Sequence, residues 1–187
     1  MVETILGAIL LILAIVYGKS FRKYSLKEYI TLSTFVAIAV AFRVALQVIP
    51  NAKPTSFIII MAGIIFGPAA GLAVGLLVTL LSSLMLGIGP YIIWQAFCWG
   101  IMGLIAYYFR NTNKLVIAIY GFVWGFLFGW ITNMWYWFNF IQVHNFETFM
   151  FGHINSFPFD LVHAVTNFIL LLAFPRAIIE KLIKTKN

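Results

Sequence analysis

The chain has 187 residues, 63% of them apolar, 18% aromatic and 9% charged, with a net charge of +7 and a mean hydropathy of +1.02. Soluble domains are about 45–50% apolar, so the composition excludes an ordinary water-soluble fold; runs of about 20 apolar residues point to an all-α integral membrane protein and not to a barrel. No room is left for a soluble catalytic or nucleotide-binding domain, and one cysteine, Cys98, excludes both a disulfide framework and a thiolate metal site.

Apolar stretches occupy residues 2–18, 28–49, 55–67, 69–88, 91–109, 115–138 and 158–179, separated by Pro, Gly, Asn or charged breaks. The first lacks the basic flank and small-residue cleavage site of a secretory signal, so it reads as a retained span. The expected organisation is one transmembrane domain over 1–187, in which an extra N-terminal span (1–20) precedes a core over 28–180 and a tail over 181–187. The third stretch is short, and Gly67-Pro68 is either a loop or a break within one bent unit, which makes the span count six or seven. Basic residues accumulate beside spans on the cytoplasmic side. Lys19, Arg22, Lys23 and Lys27, then Arg110 and Lys114, then Arg176, Lys181, Lys184 and Lys186 all fall on one side of a seven-span arrangement, and only Lys53 falls opposite. That places the C-terminal tail in the cytoplasm and the N-terminus outside.

On this topology three aromatic and amide-rich segments share the outer side: "GIGPYIIWQAFCWG" (87–100), "NMWYWFNFIQVHNF" (133–146) and "GHINSFPFD" (152–160). Tryptophan and tyrosine anchor helices at membrane interfaces, yet a simple belt does not require the amides and histidines of a long outer loop read over 137–157. Ring faces mixed with hydrogen-bonding groups suit a pocket for a polar molecule with apolar surface. The candidate binding residues are Trp94, Gln95, Trp99, Asn133, Trp137, Asn139, His153, Asn155 and Asp160. Arg43, inside the second span, either pairs with Asp160, binds an anionic group of the substrate, or snorkels toward head groups. His163, one turn after Asp160, either hydrogen-bonds in a polar lining or relays a proton. No metal-binding spacing of histidines occurs, and no metal or cofactor is expected.

Ala37, Ala41 and Ala45 recur every four residues in "STFVAIAVAFRVAL", and Gly67, Gly71 and Gly75 do so in "GPAAGLAVG". Small residues at this spacing let membrane helices approach closely, either inside the molecule or at a docking face for another subunit. Together with "AGIIFGPAAGLAVGLLVTLLSS" (62–83) and "GPYIIWQAFCWGIMGLIAYYF" (89–109), the alanine stripe and its neighbours Arg43 and Pro50 resemble the substrate-binding S-components of energy-coupling factor (ECF) vitamin transporters. The resemblance covers most of residues 28–180. It implies a six-helix core that captures a vitamin from outside and docks, through Ala37, Ala41 and Ala45, on a transmembrane coupling subunit bearing a pair of ATPases. The run GP-x-x-x-W-Q-x-x-x-W-G is similar to a cobalamin-specific subgroup, so cobalamin is the favoured ligand, with riboflavin or a folate as alternatives. A proton-coupled secondary transporter using Asp160 and His163 is a separate reading. An intramembrane enzyme is disfavoured, because an H-E-x-x-H pair and a nucleophile elbow are both absent.

Overall fold

The computed structural model describes residues 2–21, 23–174 and 180, and among them the chain forms helices α1 (Val2–Phe21), α2 (Leu26–Ala45), α3 (Thr55–Phe66), α4 (Pro68–Leu86), α5 (Tyr91–Ala106, extended by one 3-10 turn, Tyr107–Phe109), α6 (Lys114–Phe140) and α7 (Phe146–Ala173), with no strand. Local chemistry sets the starts. Ser25 and Glu28 form a capping box at α2, Asn113 accepts from the Val116 amide at α6, and Asn145 and Thr148 form a second box at α7. Six of the helices are long and apolar enough to cross a bilayer; α3, with 12 residues, is not. It rises only about 18 Å against a hydrocarbon core of about 30 Å. Every residue of α3 except Phe57 is buried, as expected of a helix that is apolar all round. Apolar side chains such as Ile12, Leu84, Phe151 and Ile169 stand exposed on the outer faces, where lipid replaces water.

Gly67 has φ of 105°, a conformation that glycine adopts without a Cβ penalty. The chain reverses there. Gly63 and Gly71, four residues to either side, both lie against the Gly103 carbonyl of α5, and a Cβ on either would overlap that backbone. Gly67-Pro68 is thus a turn between two helices and not a bend in one. Gly75 abuts the Trp99 carbonyl, while Gly125 rests on Ala164 and Gly129 on the Asp160 carboxylate, drawing α6 against α7. The glycines at 71 and 75 serve internal packing, whereas Ala37, Ala41 and Ala45 are all exposed on α2.

Side-chain contacts define two ends of the bundle. At one, the Tyr24 hydroxyl donates to the Phe66 carbonyl at 2.9 Å, and burial pushes that phenol up to about 12, so it stays protonated as a donor. Lys19, Lys23, Lys27, Arg110 and Lys114 gather at this basic end. At the other end lie residues 46–54, 87–90 and 141–145. There Glu3 of α1 accepts from Trp94 Nε1 of α5 (3.3 Å) and from Asn139 Nδ2 of α6 (3.4 Å). The basic residues Arg22, Arg176, Lys181, Lys184 and Lys186, and with them the tail over 181–187, lie outside the described residues.

The main departure from the sequence reading is in the last hairpin. The segment 137–157 is not a long loop: α6 runs to Phe140, α7 starts at Phe146, and only 141–145 connect them. Pro158 lies inside α7, where it forgoes one backbone hydrogen bond, a loss that tightly packed membrane helices absorb. The last helix therefore starts twelve residues before position 158, and Asn155 and His153 project from a helix.

Candidate binding site

The polar centre of the molecule begins with Arg43 in the last turn of α2, which is 9% exposed. Its Nη1 donates to Ser82 Oγ of α4, its Nη2 donates to Gln95 Oε1 of α5 at 2.7 Å, and its guanidinium carbon sits 4.6 Å from the centroid of the Trp99 ring. Trp99 Nε1 donates to Ser56 Oγ of α3 at 3.1 Å, and Ser56 Oγ is 2.8 Å from His163 Nε2 of α7. An indole N–H can only donate, so Ser56 accepts there and has His163 Nε2 as its second partner. Phe128 of α6 packs 5.0 Å from Trp99 and 5.3 Å from His163, centroid to centroid. Five helices, α2, α3, α5, α6 and α7, thus line one cavity of about 130 Å³, whose remaining lining comes from Asn51, Lys53 and Thr55. With Arg43 and Phe128 against its ring, Trp99 forms a wall held by protein. The Lys53 ammonium is held below the usual lysine range, first by burial and then by the Arg43 charge.

A second cavity, of about 370 Å³, opens between α6 and α7 at the same end and is lined by Asn133, Tyr136, Trp137, Thr148, Phe149, His153, Asn155, Ser156 and Phe159 among others. Its floor is a hydrogen-bonded row: Asn133 Nδ2 donates to Ser156 Oγ at 2.7 Å, and Ser156 donates to Asp160 Oδ2 at 2.8 Å. Trp137 Nε1 donates to Thr148 Oγ1 at 3.1 Å, which fixes the indole. His153 is 5% exposed and its Nδ1 bonds the Phe149 carbonyl at 2.8 Å. Between the two cavities, Asn51 Nδ2 donates to the Phe159 carbonyl at 3.0 Å; Asn51 lines the first and Phe159 the second.

The candidates from sequence therefore divide. Arg43, Gln95 and Trp99 line the first cavity, and Asn133, Trp137, His153 and Asn155 the second. Asp160 lies beneath the second, against Gly129 and Ser156, and makes no ion pair with Arg43. Asp160 and His163 have separate partners, since Asp160 bonds Ser156 while His163 bonds Ser56. Trp94 and Asn139 turn away from both cavities toward Glu3. Among the residues that sequence reasoning missed are Ser56, Thr55, Asn51, Lys53 and Phe128 around the first cavity, Tyr136, Thr148, Phe149 and Ser156 around the second, and Ser82, which holds Arg43. The Thr55-Ser56 pair, opening an otherwise apolar helix, was the signal for two of them.

These features define a multi-pass, all-helical membrane protein with a solute-sized polar site inside the bundle. A family model described as ECF-type riboflavin transporter, S component, matches residues 23–179, and the chain belongs to that family. It is a membrane subunit of a vitamin transporter and not an enzyme, and it associates with an ECF module and a vitamin substrate. The match begins after α1. No curated protein and no solved structure matches the chain.

Proposed function

We propose that the vitamin is a flavin, captured at the end of the bundle that bears Lys53 and delivered through the ECF module. The observation that carries this reading is the pairing of two adjoining cavities, one walled by Tyr136, Trp137 and Phe149, the other by Arg43, Gln95, Ser56 and Asn51. A flat ring system with a hydrogen-bonding tail needs both, and the family description names riboflavin. Cobalamin rested on the W-Q-x-x-x-W-G run, whose tryptophans face different neighbours: Trp99 the Arg43 cavity, Trp94 the N-terminal helix. A corrinoid, far bulkier than a flavin, would have to force both cavities open.

On this reading the basic end is cytoplasmic, in line with the positive-inside bias, and with it the C-terminus. Residues 26–173 form the transport core, α1 is an addition to it, and the exposed alanine face of α2 receives the coupling subunit. The test is quenching of riboflavin fluorescence by the detergent-solubilised protein. Riboflavin should be quenched to saturation, and Trp137→Ala should weaken binding by about 1–3 kcal/mol, the range for a lost ring-stacking partner. A corrinoid retained through purification, with no flavin binding, would overturn the flavin assignment.

A further inference from the structure

We propose that the Arg43 cavity is built to hold an anion, so that the ligand end seated there carries a phosphate or a carboxylate. The inference rests on the flavin reading above and adds the charge of what is bound.

Two cations share the cavity, Arg43 and Lys53, and the side chains around them, among them Asn51, Thr55, Ser56, Gln95 and His163, include no carboxylate. Arg43 is held in place by neutral acceptors, Ser82 and Gln95, and by the face of Trp99, so its position is fixed while its charge is not cancelled. The chain has only five acidic side chains, and none of them lines the cavity. Glu3 engages Trp94 and Asn139, Glu28 closes the capping box with Ser25, Glu147 sits in the first turn of α7, Asp160 takes the Ser156 hydroxyl, and Glu180 lies beyond α7.

Charges buried in membrane proteins pair with one another or face a functional cavity. Like charges without a counter-ion repel. The pair at Arg43 and Lys53 therefore lacks one component, which a ligand oxyanion supplies. Size agrees: about 130 Å³ accommodates a phosphate or carboxylate with part of a chain, and the aromatic cavity across the Asn51–Phe159 bond takes the ring.

The test compares riboflavin, riboflavin 5′-phosphate and N10-carboxymethylflavin by fluorescence quenching at low and high ionic strength. At low salt one or both anionic flavins should bind at least about tenfold tighter than riboflavin, and the advantage should shrink as salt screens it; which of the two gains tells phosphate from carboxylate. Lys53→Gln should bring the ratio toward one and Lys53→Arg should retain it, while Lys114→Gln at the basic end should leave it unchanged. Riboflavin binding as tightly as both anionic flavins, or a preference that survives Lys53→Gln, would overturn the proposal. Should no flavin bind at all, the flavin reading fails by itself. Inorganic phosphate titrated against intrinsic tryptophan fluorescence then decides the charge question: a saturable change lost in Lys53→Gln upholds the anion site, and no change refutes it.

Discussion

Ser56 joins two buried rings that would otherwise each need a partner, accepting from Trp99 Nε1 at 3.1 Å and lying 2.8 Å from His163 Nε2. It is 1% exposed, and both rings lean on this one hydroxyl. Ser56→Ala should therefore cost about 1–3 kcal/mol, the penalty for stranding buried polar groups, read as a lowered unfolding midpoint in detergent, whereas Ser33→Ala on the exposed face of α2 should stay within about 0.5 kcal/mol. Part of this site was legible beforehand. Gln95 and Trp99 stand one helical turn apart and share a face; Arg43 announced itself as a charge within an apolar span. Trp94, five residues before Trp99, points about 140° away around the helix, so the two tryptophans share one end of α5 but not one face. Ser56 was hidden because a hydroxyl opening an apolar helix reads as a start signal, and only the fold brings α5 and α7 to it.

Among the elements, α2 and α4 use the same small-residue spacing for different ends. Gly71 and Gly75 are spent on contact with α5, while Ala37, Ala41 and Ala45 remain exposed. If the alanine face receives the coupling subunit, Ala41→Trp should leave flavin quenching intact and abolish uptake by the assembled transporter in proteoliposomes; unimpaired uptake would place docking elsewhere. The sequence could not tell the stripes apart, because spacing says that a partner comes close and not which partner it is. The hairpin of α6 and α7 was misread for another reason. Asparagine, histidine and Pro158 are loop residues by propensity, and here the Asn145–Thr148 capping box and the packing of Gly125 and Gly129 against α7 outweigh them.

For the molecule as a whole, the alternation of helices and the placement of charge agree: Lys19, Lys23, Lys27, Arg110 and Lys114 share one end, and Lys53 lies at the other. A membrane-impermeant amine reagent applied to intact cells should modify none of the four lysines at that end and should reach them once the membrane is opened; modification of Lys114 from the medium would reverse the orientation. The broad architecture was readable from hydropathy and charge because the bilayer imposes both directly. The division of the site into two chambers was not, since it depends on where residues 46–54 fold back over α7.

On the flavin reading, that fold-back would give the protein a means of measuring its ligand. A single amide, Asn51, bridges to the Phe159 carbonyl and forms part of the partition between the aromatic and the cationic chamber. Opening one such bond costs only about 0.5–1.5 kcal/mol, so a molecule long enough to bridge both rooms would need few added contacts to offset it, and a shorter one would leave the door shut. Length discrimination would then reside in one side chain that neither stacks on the vitamin nor neutralises it.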